Sequence, residues 1–166
     1  MIKNDFISNN KDSVTVEILS RKEVEVLNKN FFQKVAVISF YDPEWKGWGR
    51  SEPVDFSKKC DRVLQICLFD IDREALHDFG LSEETYFPEA DKLAEFIYKA
   101  KEDGLDIICQ CEYGQSRSAA CAAAILQHFS KSGIEVFADY RYYPTQLVYH
   151  KVFDALNKYK KDKNED

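Results

Sequence analysis

The chain has 166 residues, which is enough for one domain with a substantial core. Its 45% hydrophobic and 31% charged residues are typical of a globular protein and argue against a disordered or membrane-spanning chain. The formal net charge of −6 argues against nucleic acid as a partner, because binding a phosphate backbone requires a basic face.

The first residues and the cysteines together indicate the compartment. Residues 1–13 form a polar lead-in that lacks the apolar segment of an export signal or a membrane anchor. The five cysteines are odd in number, with no CxxC pair and no His-x3-His partner. We therefore expect a cytoplasmic protein with no membrane association, no disulfide framework, no metal and no other cofactor.

Strands alternate with a helix in the first half of the chain. Residues 14–18 alternate with a strand-like period of two, and residues 20–23 have the capping-box spacing that opens a short helix. Residues 34–41 and 62–69 are apolar runs that predict buried strands. Residues 42–56 are predicted to form a loop, because two prolines, two glycines and both tryptophans leave no regular period there.

The second half continues the alternation, with one more strand between two helices and a final helix at the end. The predicted elements are a helix over 88–102 stopped by Gly104, a strand over 106–110, a helix over 118–131 closed by Gly133, and a helix opened by Pro144. The charged segment 160–166 is expected to fray. The alternation predicts a single α/β domain over residues 1–166, with a central, mainly parallel sheet flanked by helices. Ligands of such sheets bind at the carboxyl ends of the strands.

The turn between the third predicted helix and the strand before it contains the reactive side chains. A helix start favours a bound anion, because its first N–H groups lack partners and the helix dipole is positive there. Gly114 can adopt backbone angles that curl successive N–H groups around an anion, and Arg117 offers a planar fork for two phosphate oxygens. The same field favours the thiolate of Cys111, which is the nucleophilic form, and Ser118 is placed to donate its hydroxyl to that sulfur.

The segment CEYGQSRS from Cys111 to Ser118 resembles the Cys-X5-Arg-Ser phosphate loop of the cysteine-dependent protein tyrosine phosphatase superfamily, in its small dual-specificity-like branch. The segment 141–145 is similar to the Arg-x-x-Pro-Asn segment of the same branch, with Thr145 where asparagine is usual. Gln110 stands where the family has a histidine. Before Phe56 the similarity is one of pattern only.

This resemblance implies a protein tyrosine phosphatase-like fold and a phosphatase that forms a phosphocysteine on Cys111, without a metal. Arg117 and Ser118 would take the family's roles of phosphate ligand and thiolate partner. The resemblance assigns the substrate phosphate to the whole loop, which comprises Glu112, Tyr113, Gly114, Gln115, Ser116 and Arg117.

Hydrolysis of a phosphate ester also needs a proton donor for the leaving oxygen. The family's acid lies after the strand that precedes the long helix, which is the position of Asp70 and Asp72 here. Alignment of the strand favours Asp70, with Asp72 close behind and Asp78 a distant third.

The leading substrate is a protein phosphorylated on tyrosine or on serine and threonine. A phosphoinositide or an RNA 5′-phosphate is the weaker alternative, because Glu112 makes the loop acidic and no lysine lies in it. A third hypothesis is a pseudophosphatase that keeps the phosphate cradle but turns over slowly, because Gln110 replaces the histidine.

Two further features leave alternatives open. Cys109 lies two residues before Cys111 and is either a partner for an oxidised Cys111 or a small buried side chain. Trp45 and Trp48 either line a wall of the substrate site or anchor the long loop against the core.

Overall fold

All four predicted strands are present in the computed structural model, which describes residues 13–47 and 52–166. The strands are β1 (Val16–Ser20), β2 (Val35–Tyr41), β3 (Val63–Cys67) and β4 (Asp106–Cys111). They form one parallel sheet in the order β1-β4-β2-β3. Most of the polar lead-in and Trp48 lie outside the described residues.

In the described part of the chain, five α-helices connect and cover the strands. They are α1 (Arg21–Val26), α2 (Ala90–Glu102), α3 (Arg117–Ser130), α4 (Ile134–Ala138) and α5 (Gln146–Glu165). Two short 3₁₀ helices, Arg73–Ala75 and His77–Phe79, follow β3 in the acidic stretch. The predicted α/β class with a parallel, helix-flanked sheet is confirmed. Within the described residues, no helix combines the length and the apolar character needed to cross a membrane.

The core lies on both faces of the sheet, and β4 runs through its centre between β1 and β2. Side chains alternate along β4, so that Ile107 and Cys109 join the larger cluster while Ile108 joins the smaller one. Helices α2, α3 and α5 supply the larger cluster, and α1 with the segment around Val54 and Phe56 covers the other face. Alanines along α3 are fully buried, which lets this helix pack closely on the sheet and on α5.

The predicted capping box opens α1. The Ser20 hydroxyl accepts a hydrogen bond from the Glu23 N–H at 3.2 Å, and the Glu23 carboxylate accepts one from the Ser20 N–H at 2.7 Å. Ser20 is also the last residue of β1 and pairs in register with Cys111 at the end of β4. The short helix therefore starts beside the end of the central strand.

The end of α3 differs from the prediction that Gly133 closes it. Lys131 adopts the left-handed conformation at φ 55° and caps the helix, with its N–H donating to the Gln127 carbonyl. Gly133 instead begins α4, a helix that the sequence did not predict. A Cβ at Gly133 would lie 2.5 Å from the Ala123 carbonyl oxygen, so close contact with α3 is the reason for glycine at this position.

The segment 160–166, expected to fray, continues α5 as far as Glu165. Two lysines on α5 form ion pairs with α2: Lys158 with Asp91 at 2.7 Å, and Lys163 with Glu102. These pairs between neighbouring helices could not be read from the charge pattern of the segment alone.

A buried histidine joins the three large helices. His128 on α3 contacts the Tyr98 hydroxyl through Nε2 at 2.6 Å and the Asn157 amide oxygen through Nδ1 at 2.9 Å. Because the Asn157 oxygen only accepts, Nδ1 is the protonated nitrogen, and Nε2 accepts from Tyr98. Burial lowers the pKa of His128, the bond to Asn157 opposes that shift, and nearby lysines add to it.

We expect the free energy of unfolding to decrease as the pH falls below about 6.5, because His128 of the unfolded chain then binds a proton that the folded side chain, with its lowered pKa, does not. The loss should continue until the pH reaches the pKa of the folded state. Urea denaturation between pH 5 and 7.5 measures the effect. His128→Gln should flatten this part of the curve, while His77→Gln, at an exposed position, should keep it. An unchanged slope in His128→Gln would contradict the assignment.

Candidate active site

The predicted reactive residues gather at the carboxyl edge of the sheet. Cys111 is the last residue of β4, and Arg117 is the first residue of α3. Residues 112–116 form the loop between them, which we call the phosphate loop. Asp42 and Asp70 follow the ends of β2 and β3 at the same edge.

Cys111 and Ser118 are in direct contact. The Cys111 sulfur lies 3.0 Å from the Ser118 hydroxyl oxygen, and both side chains are buried. At this distance the hydroxyl can donate a hydrogen bond to a thiolate, which stabilises the nucleophilic form of the sulfur.

Arg117 is only 3% exposed, and one end of its guanidinium is anchored. Its Nη1 donates to the Leu68 carbonyl at 2.7 Å and lies 2.7 Å from the Asp42 carboxylate. Its Nε is buried and finds no hydrogen-bond partner among the described residues. Because a buried N–H without a partner is costly, this nitrogen fits a site that an anion completes.

The backbone of the phosphate loop offers further donors. The N–H groups of residues 112–117 donate no hydrogen bond to any residue that the structure describes. Gly114 has the left-handed φ of 66°, as the loop's curvature requires. N–H groups that have no partner among the described residues, at the start of the 14-residue helix α3, would favour an anion, and the anion site remains a prediction.

A clamp from α1 holds the first residue of the loop. The Arg21 N–H donates to the Glu112 carbonyl at 3.1 Å, and the Arg21 guanidinium pairs with the Glu112 carboxylate at 2.8 Å. Arg21 also contacts the Glu25 carboxylate and the Glu52 carbonyl. Glu112 was expected to make the loop acidic. Its negative charge is instead neutralised by the ion pair with Arg21.

Gln110 occupies the usual histidine position and forms a buried hydrogen-bonded chain. Its amide oxygen accepts from the Ser39 hydroxyl, and its amide nitrogen donates to the Cys111 carbonyl at 2.9 Å. This chain of neutral groups fixes the peptide group that follows Cys111.

The two candidate acids have different surroundings. Asp70 is exposed, and its Oδ1 accepts from the Ser116 hydroxyl at 2.6 Å, directly at the phosphate loop. Asp72 caps the first 3₁₀ helix by accepting from the Arg73 N–H at 3.0 Å, and it also accepts from the Leu147 N–H at 3.3 Å. Asp70 therefore borders the loop, whereas the Asp72 carboxylate accepts hydrogen bonds from backbone N–H groups at the starts of two helices. Their roles in catalysis remain predictions.

The segment 141–145 braces the other side of the loop. The Tyr143 N–H donates to the Gln115 carbonyl at 2.8 Å, and the Thr145 hydroxyl lies 2.8 Å from the Ser116 hydroxyl. Thr145, at the usual asparagine position, thus keeps a polar contact to the loop.

Cys109 and Trp45 both pack against other side chains of the protein. Cys109 is fully buried, and burial together with the neighbouring Cys121 raises the pKa of its thiol well above the usual value. This thiol is therefore a poor nucleophile, in keeping with a buried core side chain. The Trp45 ring packs against Phe69 at 5.7 Å and Phe79 at 5.2 Å, so it anchors its loop beside the strand end that leads to Asp70.

Sequence reasoning missed Asp42, Arg21 and Ser39, all of which contact the loop, its arginine or Gln110. Asp42 had a usable signal, because it directly follows a buried strand, as Asp70 nearly does. The pairings of Arg21 and Ser39 depend on register between distant strands and left no local signal. In the described part of the chain, no group of three or more His, Cys, Asp or Glu side chains could hold a metal ion.

Comparisons with known proteins support the fold. No family model matches the sequence, and no curated protein matches it either. The crystal structure of PTPMT1 in complex with PI(5)P covers 92% of this chain and 97% of its own, with 14% identity and a TM-score of 0.50. A second PTPMT1 crystal structure covers 93% and 98%, with 14% identity and a TM-score of 0.48. PTPMT1 is a dual-specificity-like phosphatase of the protein tyrosine phosphatase superfamily, and this chain has the same type of fold, as predicted.

Gly114→Ala should deform the phosphate loop. A Cβ there would lie 2.8 Å from the Ser20 backbone nitrogen and 2.9 Å from the Leu19 carbonyl carbon, and backbone atoms cannot easily move away. We expect weaker binding of tungstate, a phosphate analogue, measured by calorimetry, together with a lower melting temperature.

The matched control for this substitution is Gly104→Ala. Gly104 has φ 69°, close to the 66° of Gly114, but a Cβ there would meet nothing within 4 Å. This variant should lose only roughly 1 kcal/mol of stability, because alanine is strained at this φ, and it should keep its tungstate affinity. Equal tungstate affinity in the two variants would argue against the loop as the anion site.

Proposed function

We propose that this protein is a cysteine-dependent phosphatase that hydrolyses phosphate monoesters through a phosphocysteine intermediate. The observation that supports this most is that Cys111 and the Arg117 Nε meet at one loop. Among the residues that the structure describes, neither this Nε nor the N–H groups of the loop have a hydrogen-bond partner. A nucleophile beside an anion cradle is the arrangement that phosphoryl transfer requires.

Binding of the substrate phosphate would use the donors that the protein leaves open. The N–H groups of the phosphate loop and the Arg117 Nε would donate to the nonbridging oxygens, over which the charge of the transferred phosphoryl group is spread in the transition state. The phosphorus would then face the Cys111 sulfur.

Chemistry would proceed in two displacements at phosphorus. In the first, the Cys111 thiolate forms an S–P bond while the P–O bond to the leaving group breaks, and Asp70 gives its proton to the departing oxygen. In the second, water attacks phosphorus, its proton passes to Asp70, and the S–P bond breaks to release inorganic phosphate. The Ser118 hydroxyl, 3.0 Å from the sulfur, stabilises the departing thiolate.

A phosphorylated protein is the substrate class that we propose. Near the loop, Arg21 is paired with Glu112 and Arg117 with Asp42, so little positive charge is left for a second phosphate beyond the one at the loop. Tyr113 in the loop and Tyr143 beside it are 78% and 71% exposed, and their rings can contact a peptide or a phosphotyrosine ring.

A phosphoinositide is the second candidate substrate, because the fold is similar to that of PTPMT1 in complex with PI(5)P. Relative kcat/KM values for a phosphotyrosine peptide, for PI(5)P and for RNA with a 5′-phosphate distinguish the three substrate classes. A cytoplasmic location remains part of the proposal. All five cysteines lie in the described residues and none forms a disulfide, which suits a reducing compartment.

Cys111→Ser should lower the hydrolysis of para-nitrophenyl phosphate by roughly 10³-fold or more, because a serine hydroxyl is a far weaker nucleophile than a thiolate. Tungstate should still bind, because the cradle keeps its shape. Hydrolysis by the parent protein should be inhibited by vanadate and unaffected by a chelator.

The matched control is Cys60→Ser, at a half-buried cysteine whose sulfur lies 3.5 Å from the Val35 carbonyl at the start of β2, and it should keep its activity. Substantial turnover by Cys111→Ser would contradict the assignment of Cys111 as the nucleophile. Binding of tungstate without hydrolysis in the parent protein would instead favour the pseudophosphatase.

The two aspartates are separated by their dependence on the leaving group. Asp70→Asn should slow phosphotyrosine hydrolysis by roughly 10²–10⁴-fold, because the leaving phenolate is basic and needs a proton. It should slow an activated aryl phosphate much less, while Asp72→Asn should show little of this difference. The pH dependence of kcat/KM for both substrates is the measurement. A leaving-group-dependent loss in Asp72→Asn alone would exchange the roles, and its absence in both variants would point to Asp78.

A further inference from the structure

We infer that Tyr86 is a positioning residue for the general acid, whose hydroxyl holds the backbone beside Asp70 so that the Asp70 carboxylate stays at the phosphate loop. The inference rests on the proposed function, in which Asp70 gives a proton to the leaving oxygen. Tyr86 lies outside the phosphate loop, between the second 3₁₀ helix and α2.

The segment between β3 and Asp70 lies outside the sheet, and side chains hold two of its carbonyls. The Leu68 carbonyl accepts from Arg117 Nη1 at 2.7 Å. The next carbonyl, that of Phe69, accepts from the Tyr86 hydroxyl at 2.6 Å. The Phe69 carbonyl belongs to the planar peptide group that also contains the Asp70 nitrogen, so this hydrogen bond restrains the backbone from which the Asp70 side chain extends.

Tyr86 is a fixed and protonated donor. Its side chain is 3% exposed and belongs to the larger core cluster. Burial raises the pKa of Tyr86, and the negative charge of Asp70 adds to this shift. The positive charge of Arg117 and a hydrogen bond from the Ile71 backbone oppose the shift. Because the pKa is raised, the phenol keeps its proton at neutral pH and donates it to the carbonyl.

The other end of Asp70 is held by the phosphate loop. Its Oδ1 accepts from the Ser116 hydroxyl at 2.6 Å and lies 3.5 Å from the Thr145 hydroxyl. Asp70 is exposed, so packing alone restrains it little. Proton transfer requires the carboxyl to lie within hydrogen-bond distance of the reacting oxygen. Hydrogen bonds at the backbone and at the carboxylate together keep Asp70 near that position.

Packing of the Phe69 ring is a separate restraint on the same segment. The ring lies 5.7 Å from the Trp45 ring and 4.8 Å from the Phe79 ring. These contacts restrain the Phe69 side chain but donate no hydrogen bond to its carbonyl. Because they remain when the Tyr86 hydroxyl is removed, we expect a partial rather than a complete loss of positioning.

The test compares Tyr86→Phe with the matched control Tyr98→Phe. Both variants keep the aromatic ring and remove a hydroxyl that forms a hydrogen bond of 2.6 Å. The Tyr98 partner is His128 in the last turn of α3, whereas the phosphate loop lies at the first turn of that helix. Melting temperatures verify that both variants are folded.

Tyr86→Phe should lower kcat/KM for a phosphotyrosine peptide by roughly 5- to 20-fold, because the Phe69 carbonyl loses its donor and Asp70 leaves its position more often. An activated aryl phosphate needs little help from the acid, so its hydrolysis should stay close to that of the parent. Tungstate affinity should not change. Tyr98→Phe should match the parent in all three measurements. Unchanged phosphotyrosine hydrolysis in Tyr86→Phe would overturn the inference.

A double-mutant cycle separates positioning of the acid from a general disturbance of the site. In an Asp70→Asn background no carboxyl is left to position, so Tyr86→Phe should have little further effect on phosphotyrosine hydrolysis. Additive losses would overturn the inference. Equal losses with both substrates, or weaker tungstate binding, would also overturn it, because a structural role alone produces them.

Hydrogen exchange distinguishes this inference from the proposed function. The backbone N–H groups of Asp70 and Ile71, followed by NMR, should exchange faster in Tyr86→Phe than in the parent or in Tyr98→Phe. A parent protein that hydrolyses no phosphate ester would contradict the phosphatase proposal, and the exchange rates would still decide whether Tyr86 holds this segment. Parent-like exchange in Tyr86→Phe would overturn the positioning role even in an active phosphatase.

Discussion

A buried positive charge is the constraint on which the rest of the site depends. Arg117 can lie almost entirely out of water only because the carbonyl of Leu68 and the carboxylate of Asp42 meet its Nη1. Leu68 and Asp42 follow β3 and β2, while Arg117 itself opens the helix after β4. One guanidinium therefore ties together the ends of three strands, and the loop around Cys111 is built between them.

The fold could be predicted from the sequence to a large extent, because strands and helices here have clear periods and end signals. The placement of the side chains around the loop was also predictable, since Cys111, Gly114, Arg117 and Ser118 lie within eight residues and their spacing is local. What was missed depends on contacts between distant segments. The ion pair of Asp42 and the extension of α5 through Lys163 both require a partner that no local pattern identifies. The end of α3 was missed for another reason, because Lys131 adopts a left-handed conformation that its residue type does not favour.

Gln110 stands where the family that the chain resembles has a histidine. A histidine at this position would titrate near neutral pH, whereas an amide does not change its charge. The Ser39 hydroxyl donates to the Gln110 amide oxygen, and the Gln110 amide nitrogen donates to the Cys111 carbonyl. The sequence identified the substitution, and the structure adds the contact with Ser39 on the adjacent strand.

The strand order has a consequence for how the molecule folds. The central strand β4 pairs with β1 in a register that joins Val16 to Ile107. A loop of about ninety residues must therefore close, at a cost in chain entropy, before the contacts between the two strands can stabilise the fold. The phosphate loop takes its shape only when β4 lies between β1 and β2. Because we propose that this loop binds phosphate, cellular phosphate would bind only the completed fold and stabilise it by mass action, and partly folded forms would not gain this stabilisation.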